Sequence, residues 1–275
     1  MDIIVSEWMG YLLLRESMLD SIIRARDKFL KRSTGLMFPS HVTIYAAPVV
    51  DEEERRGNTS EYSNAMADWR DFAQTTSQVY GVDMDCLSTE FEKEQKDYYL
   101  LSSRWMELPA DSVLVDEPKS IKQMDMITCT LDEARGIPVG DADAQFDFEV
   151  DGDKVSGPIS GLAGWFTADF RSRTDDAGRD TAPKILHPSY LSTGPEAGYT
   201  HWGQQVFYFL SSIPLLKGET TRLSGQFEMM RTKENSRLYN SRITYRSERR
   251  RSDEPKDTGN VLMKSSKVVQ VYQIP

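Results

Sequence analysis

The stretch that decides the predicted fold of the N-terminal part is residues 3–19, Ile-Ile-Val-Ser-Glu-Trp-Met-Gly-Tyr-Leu-Leu-Leu-Arg-Glu-Ser-Met-Leu. Its first three residues form a short apolar run, which is typical of a strand buried on both faces. From Glu16 onward, apolar residues recur at helical spacing as far as Leu30, and Gly35 and Pro39 follow as stop signals. A strand, a turn and a helix in this order indicate part of an α/β unit.

Two glutamates bound the connection between this strand and this helix, and we call the segment Glu7–Glu16 the acidic loop. Glu7 is predicted to close the strand and Glu16 to open the helix, and their carboxylates can converge if the loop doubles back at Gly10. Since two carboxylates in one apolar pocket repel each other, a cation between them is favoured. A planar guanidinium has the fork of donors that bridges them. Spacing alone leaves another interpretation open, in which Glu16 is a helix N-terminal acid and Glu7 a strand-end charge.

The pattern changes along the rest of the chain. Apolar residues at helical spacing from Tyr62 to Tyr80 predict a long helix, and the polar run 51–56 before it is predicted to be a loop. From about residue 111, alternating apolar and polar residues predict the short strands of an antiparallel sandwich or barrel. The clearest such strands are 146–150, 223–229 and 268–272. Charged stretches with Gly and Pro predict loops at 171–184 and 248–259.

Composition limits the class of protein. The chain has 275 residues, a formal net charge of −10 and 10% aromatic residues, and its length suggests about two domains. The acidic balance argues against binding dominated by nucleic-acid phosphates and fits a positively charged partner. Two cysteines without a CxxC or HExxH motif predict neither a disulfide scaffold nor a metal site, and they favour a reducing, intracellular setting. The first residues have no basic segment before a long apolar run, so no signal peptide or membrane span is predicted.

Two motifs in the sequence resemble those of one enzyme family. The pattern Ser-Glu-Trp-Met-Gly-Tyr-x-Leu-x-x-Glu-Ser-Met-Leu at 6–19 resembles the double-E hairpin of the protein arginine methyltransferases. Thr-His-Trp at 200–202, followed by the apolar strand 206–210, resembles their THW loop. Residues 80–84 resemble the segment after their dimerisation arm, and residues 35–39 resemble the approach to their β-barrel. Because the resemblance covers nearly the whole chain in the right order, the chain is identified as a member of this family.

The resemblance implies an α+β, mostly β fold in two parts. Residues 1–40 would be the C-terminal part of a Rossmann-like methyltransferase domain with the double-E hairpin. Residues 41–275 would be an antiparallel β-barrel that binds substrate, with a dimerisation arm at about 60–110. No Gly-x-Gly occurs, and the first strand has no predicted parallel neighbour in the chain. The parts that hold the methyl donor are therefore expected before residue 1, and the chain alone is expected to be inactive.

The implied function is transfer of a methyl group from S-adenosyl-L-methionine to substrate arginines, giving mono- and asymmetric dimethylarginine. The implied catalytic residues are Glu7, Glu16 and His201. The implied substrate-binding residues are Met9, Tyr11 and Trp202. The residues implied to contact the methyl donor, most of whose site would lie outside this chain, are Glu7, Ser17 and Met18. No residue is assigned to a metal.

The chemistry of such a site follows from the charge of the substrate. Two carboxylates on one side of a guanidinium would polarise it and leave the attacking nitrogen richer in electron density. A methyl donor held in line then needs proximity more than acid–base power, and a glutamate or His201 could accept the proton late in the reaction. Apolar Trp8, Met9 and Met18 would exclude water and strengthen these interactions.

The expected partners follow from the same resemblance. They are arginine-containing proteins with Arg/Gly-rich or histone-like segments and a second copy bound through the arm, with neither a membrane nor direct nucleic-acid contact. The expected location is the cytoplasm, the nucleus or both. A competing hypothesis is a catalytically inactive barrel-and-arm module that binds or regulates an active methyltransferase. A third is an unrelated acidic β-barrel scaffold. The intact glutamate pair favours the enzyme, since an inactive relative has little reason to keep both carboxylates.

Overall fold

The computed structural model describes residues 1–173, 184–253 and 261–275. The helices in these ranges are α1 (Leu19–Phe29), α2 (Glu52–Tyr80) and α3 (Asp85–Tyr99). The strands are β1 (Ile3–Val5), β2 (Leu36–Phe38), β3 (His41–Val49), β4 (Arg104–Met106), β5 (Lys119–Asp125), β6 (Gly136–Ile137), β7 (Gln145–Asp151), β8 (Ile159–Phe170), β9 (Ser189–Ser192), β10 (Gln204–Ile213), β11 (Glu219–Arg231), β12 (Tyr239–Arg251), β13 (Met263–Lys264) and β14 (Val268–Ile274). None of the described helices is apolar over a length that would cross a membrane.

The N-terminal part is a strand–helix–strand unit. Strands β1 and β2 pair in parallel, with Ile3 opposite Leu36, and α1 provides the crossover between them. The first strand therefore has a parallel neighbour in the chain, contrary to the sequence-based expectation. The prediction that β1 is buried on both faces is also wrong. Ile3 is 52% and Val5 73% exposed, because within the described ranges β2 is the sole sheet partner of β1 and nothing covers its outer face.

Two six-stranded sheets and the helical arm, which consists of α2 and α3, form the rest of the fold. The first has the strand order β4-β10-β8-β3-β5 with β9 paired to β8, and the second has the order β13-β12-β11-β6 with β14 on β12 and β7 on β11. Neighbouring strands in both sheets run antiparallel. The predicted antiparallel architecture is confirmed, and the three clearest predicted strands correspond to β7, β11 and β14. Closure of the sheets into a barrel stays a prediction.

Aromatic side chains join the two sheets. The ring of Phe207 on β10 meets the rings of Phe227 on β11 and Tyr272 on β14 edge to face, with centroids 5.4 Å apart in both pairs. All three side chains are buried, and the Tyr272 hydroxyl donates a 2.7 Å hydrogen bond to the Tyr208 carbonyl of the facing sheet. The sheets therefore share one core, which Trp8 and the other buried residues of the acidic loop extend.

The helical arm begins earlier than the sequence pattern indicates. Helix α2 starts at Glu52, so the prediction of a loop at 51–56 is wrong. The run 52–54 is Glu-Glu-Glu, and negative charge stabilises a helix N-terminus. Glu52 also accepts hydrogen bonds from Arg55 at 2.6 and 2.9 Å within the first turns of the helix.

The Trp69 side chain joins the two arm helices. Trp69 of α2 stacks on Phe91 of α3 with ring centroids 4.5 Å apart, and its indole N–H donates to the Ser88 hydroxyl at 2.9 Å. Ring contact and hydrogen bond together fix the register of α2 against α3.

The loop prediction at 248–259 is wrong in its first part. Residues 248–251 belong to β12, where the Arg250 guanidinium lies 2.7 Å from the Glu149 carboxylate. This ion pair with β7 explains why β12 extends into the charged residues 248–251. The rest of that stretch from 254 to 259, and 174–183 of the other predicted loop, lie outside the described residues.

Candidate active site

The acidic loop folds back on itself at Gly10. The Gly10 amide donates to the Leu13 carbonyl at 2.9 Å, and the two residues form an isolated antiparallel bridge. A side chain cannot be placed here, since a Cβ atom on Gly10 would lie 1.9 Å from the Arg15 carbonyl oxygen. The loop thus doubles back at Gly10, which is the condition for the two carboxylates to converge.

Four non-glycine residues of this region have a left-handed backbone. The φ angles are 47° at Leu12, 69° at Leu13, 83° at Glu16 and 58° at Ser17. A left-handed backbone is uncommon at non-glycine residues, and each one lowers the stability of the fold. Contacts with the surrounding structure must therefore maintain this turn. The prediction that Glu16 opens the helix is wrong, because Glu16 lies in this left-handed turn and α1 begins at Leu19.

The hairpin turn between β11 and β12, residues 232–238, holds the end of the acidic loop. The Glu16 amide donates to the Arg237 carbonyl at 2.8 Å. The Ser17 hydroxyl lies 2.5 Å from the Ser236 carbonyl oxygen and 3.2 Å from the Tyr239 hydroxyl. These contacts cross more than 200 positions of sequence, so the second sheet fixes the backbone that carries Glu16.

The Glu16 carboxylate lies close to two guanidinium groups. Its Oε2 accepts a hydrogen bond from Arg237 Nη2 at 3.1 Å, and its Oε1 lies 4.0 Å from Arg15 Nη1. Arg15 in turn lies over the Tyr11 ring, with its guanidinium carbon 5.4 Å from the ring centroid. Glu16 therefore sits where it attracts planar cations, and Tyr11 lies next to one of them.

A second ion pair anchors the helix that follows. Asp20 on α1 accepts two hydrogen bonds from the Arg231 guanidinium, at 3.0 and 2.6 Å, and the Arg231 Nε–H donates to the Tyr239 hydroxyl at 2.9 Å. Hydrogen bonding from Arg231 holds the pKa of the Asp20 carboxyl below its ordinary value, and nearby Arg135 acts in the same direction. Helix α1 is thus joined to the end of β11.

The Thr-His-Trp segment, residues 200–202, contacts the acidic loop from the other sheet. The Trp202 indole N–H donates to the Met9 carbonyl at 2.8 Å, and its ring meets Phe166 of β8 edge to face with centroids 5.6 Å apart. The imidazole of His201 is exposed and packs on Trp202, with ring centroids 3.8 Å apart. Trp202 therefore brings His201 to the same end of the molecule as Met9.

The apolar residues of the acidic loop pack into the protein core. Trp8, Leu12, Leu13 and Leu14 are all buried there. Leu12 reaches β8 at Gly164, where a Cβ atom would lie 2.6 Å from Leu12 Cδ1. Core packing thus explains why the acidic loop is rich in apolar residues, and the absence of a side chain at Gly164 leaves room for Leu12.

The other residues assigned from the sequence are placed as follows. Glu7 is exposed and makes no ion pair or side-chain hydrogen bond within the described ranges. Met18 is 47% exposed, so both side chains are available to a methyl donor. The Ser17 hydroxyl hydrogen-bonds to the Ser236 carbonyl of the hairpin turn, and this contact explains its position without a bound methyl donor. Convergence of Glu7 and Glu16 on one guanidinium, and the donor contacts, stay predictions. In the parts of the chain that the structure describes, no cluster of His, Cys, Asp and Glu could hold a metal ion.

The residues at and beside the hairpin turn that support Glu16 cannot be predicted from the sequence. Arg231, Ser236, Arg237 and Tyr239 carry no motif that points to Glu16. The polar run 232–237 between two alternating segments does signal a hairpin. No local pattern indicates which distant loop such a turn contacts.

Comparison with known proteins assigns the family. A family model described as the arginine methyltransferase oligomerization subdomain matches residues 41–250. The chain therefore belongs to the arginine methyltransferase family. It is 38% identical over 246 residues to protein arginine N-methyltransferase PRMT10 of Oryza sativa subsp. japonica, covering 89% of this chain. It is 36% identical over 238 residues to the PRMT10 of Arabidopsis thaliana, covering 86% of this chain. These alignments span 60% and 57% of the respective relatives, so the chain covers well under two thirds of their length.

One solved structure gives the same assignment, and a second shares the fold. The crystal structure of Arabidopsis thaliana protein arginine methyltransferase 10 superposes with a TM-score of 0.81 at 33% identity, covering all of this chain and 70% of that one. The Trypanosoma brucei PRMT1 enzyme–prozyme heterotetrameric complex with AdoHcy superposes with a TM-score of 0.62 at 18% identity, covering all of this chain and 68% of that one, which shows likeness of fold alone.

Proposed function

We propose that this chain supplies the arginine-binding part of the active site of a protein arginine N-methyltransferase. One observation carries the proposal. Glu16 lies in a left-handed turn, and its amide donates to the Arg237 carbonyl of the hairpin turn. The Glu16 carboxylate also accepts a hydrogen bond from the guanidinium of Arg237. A site built to present a carboxylate to a guanidinium is suited to bind a substrate arginine in the same way.

The role of Glu16 is to bind and polarise the substrate. A carboxylate on one edge of the guanidinium draws positive charge toward itself and orients the plane of the group. We assign Glu7 to the other edge, since its exposed carboxylate has no partner in the described ranges. S-adenosylmethionine supplies an electrophilic methyl group when it is bound. The contribution of this chain is then to hold the attacking nitrogen in place, which lowers the barrier through proximity and fixed charge.

The Thr-His-Trp segment positions Met9 of the acidic loop. Trp202 fixes Met9 through the indole hydrogen bond to its carbonyl, and His201 packs on Trp202. We assign Met9 and Met18 to the walls that limit room around the methylated nitrogen, which favours mono- and asymmetric dimethylarginine. We assign His201 or a glutamate to the late acceptance of the proton that the product loses.

The arm is assigned to self-association. The matched family model is that of an oligomerization subdomain, and the arm leaves apolar side chains such as Phe72 exposed. We propose a homodimer that forms through α2 and α3. The acidic net charge of −10 supports arginine-rich protein segments as substrates.

The test is methyl transfer from S-adenosylmethionine to an arginine peptide. It is measured with the 275-residue chain and with a longer chain that adds a donor-binding domain of the relatives' kind. We expect transfer by the longer chain and a loss of about 10²–10³ in kcat for Glu16→Gln, because removal of one oriented group in a comparable site costs that much. Glu234→Gln is the matched control, since Glu234 is exposed in the hairpin turn and has no partner in the described ranges.

Two results would contradict the proposal. A longer chain that binds both the donor and the peptide without transferring a methyl group would support the inactive regulatory module instead. A Glu16→Gln variant with a near-normal rate would show that the carboxylate does not act on the guanidinium.

A further inference from the structure

The outer face of the first sheet carries an aromatic pocket that lies apart from the acidic loop. Its volume is about 340 Å³, which is within the size range of small-ligand sites. Strands β3 and β8 form its floor, and the segment 110–118 and the turn after β9 form its walls. The pocket and the acidic loop lie on opposite faces of β8, because Gly164 contacts Leu12 of the loop and the next residue, Trp165, lines the pocket.

The floor of the pocket is aromatic. Tyr45 and Trp165 are direct partners in the β3–β8 pair, and their rings stack with centroids 6.3 Å apart at an angle of 22°. Tyr190 of β9 adds a third ring, which is 63% exposed. The Tyr190 ring provides an exposed π face that attracts a cation, whereas Trp165 is only 4% exposed.

The charged groups of the pocket are both acidic. Asp116 and Glu196 line it, and neither a lysine nor an arginine is among its lining residues. Glu196 is held in place, since its Oε1 accepts a 2.7 Å hydrogen bond from the Ser192 hydroxyl. Asp116 has no hydrogen bond or ion pair with any residue that the structure describes. The pocket therefore combines aromatic faces with two carboxylates and holds no internal cation.

We propose that this aromatic pocket binds an arginine side chain of a peptide at a second site, separate from the acidic loop. A guanidinium suits it better than an ammonium, because a planar cation stacks on aromatic rings and donates to two carboxylates from its edges. The choice of arginine as ligand rests on the proposed function, whereas the shape and charge of the pocket do not depend on it. Such a site would hold one arginine of an arginine-rich segment while another is methylated.

The test uses the 275-residue chain and an acetylated Gly-Arg-Gly amide as probe. Backbone-amide NMR locates the binding, and titration calorimetry measures its strength. We expect chemical-shift changes at Asp116 and Tyr190, and affinity reduced about tenfold by Glu196→Gln. Glu117→Gln is the matched control, because it removes a neighbouring exposed carboxylate that does not line this pocket. The lysine analogue of the probe is expected to bind more weakly.

Several outcomes would overturn the proposal. Shifts confined to Glu7 and Glu16 would place arginine at the acidic loop alone. Equal loss of affinity in Glu196→Gln and Glu117→Gln, or equal affinity for the lysine probe, would reveal unspecific charge attraction. Binding of a proline-rich peptide in place of arginine would make the pocket a polyproline groove. None of these results depends on methyl transfer, so failure here is distinct from failure of the proposed function.

Discussion

Arg237 holds Glu16 twice, once through its backbone and once through its side chain. The Arg237 carbonyl accepts the Glu16 amide at 2.8 Å, and its Nη2 donates to the Glu16 carboxylate at 3.1 Å. The two contacts differ in kind. The backbone contact maintains the left-handed turn, whereas the side-chain contact is a single hydrogen bond from a guanidinium that is 64% exposed. A substrate guanidinium that binds Glu16 must replace the second contact and can leave the first intact.

Replacement of the Arg237 side chain is therefore expected to favour the substrate. In a methyl-transferring chain, Arg237→Gln should lower KM for an arginine peptide by about two- to fivefold, because an exposed ion pair of up to about 1 kcal/mol no longer competes. The kcat should change little, since the backbone contact at Arg237 remains. Steady-state kinetics checks this, with Lys233→Gln as a control that removes one positive charge from the same turn. An increase in KM would show that the Arg237 side chain orders Glu16 and does not compete for it.

Loss of the Trp202 hydrogen bond should destabilise the chain. Trp202→Phe keeps a ring on Phe166 but leaves the Met9 carbonyl without its indole donor. We expect the free energy of unfolding to fall by about 1–2 kcal/mol, measured by urea denaturation. Trp105→Phe is the control, because Trp105 is exposed and its indole N–H has no partner in the described ranges. Equal effects of the two substitutions would contradict a specific role for the Met9 contact.

The Asp20–Arg231 pair should make stability depend on pH in the acid range. Since the folded-state pKa of Asp20 lies below its ordinary value, the stabilisation is fully present above about pH 4 and is lost as the pH falls through the folded-state pKa. Asp20→Asn should cost about 1–3 kcal/mol at pH 7, because both partners are mostly buried. The difference from the native chain should shrink below about pH 4. Urea denaturation at several pH values checks this.

The control for that series is Asp27→Asn on the same helix. Asp27 pairs with Arg26 at 2.8 Å but is largely exposed, so its loss should cost well under 1 kcal/mol at every pH. An Asp20→Asn variant whose deficit stayed constant down to pH 3 would mean that the aspartate acts through packing and not through charge.

Two arm substitutions should separate folding of the arm from self-association. Trp69→Ala removes the stack on Phe91 and the bond to Ser88, so the helical circular dichroism signal should fall. Phe72→Ala removes a side chain that is about half exposed, so helix content should hold while any dimer weakens. Light scattering and circular dichroism together check both. A dimer unaffected by Phe72→Ala would place the self-association surface elsewhere.

The parts of the fold that sequence reasoning predicts well depend on local periodicity. The alternating segments that became β7, β11 and β14, and the spacing that became α1, can be read within windows of a few residues. The left-handed residues Leu12 and Glu16 could not be predicted this way, because neither is a glycine and contacts from distant strands impose their conformation. The start of α2 at Glu52 is not predicted, because a run of charges is typical of a loop as well as of a helix N-terminus.

The same distinction between local patterns and long-range contacts applies to the candidate site. Motifs in the sequence itself indicate Glu7, Glu16 and the Thr-His-Trp segment. The Arg237 contact and the aromatic pocket could not be found, because their members come from separate strands and meet only in three dimensions.

The anchoring of Ser17 by Tyr239 has a consequence for synthesis of the protein. The two residues are 222 positions apart, so at about 5–20 residues per second the ribosome needs roughly 10–45 s between them. Until late in that interval, the core that buries Trp8, Leu12 and Leu13 in the finished fold lacks β11 and β12. We expect this nascent segment to be a binding site for ribosome-associated chaperones until β12 has emerged. The acidic loop is thus made well before the strand that anchors its end.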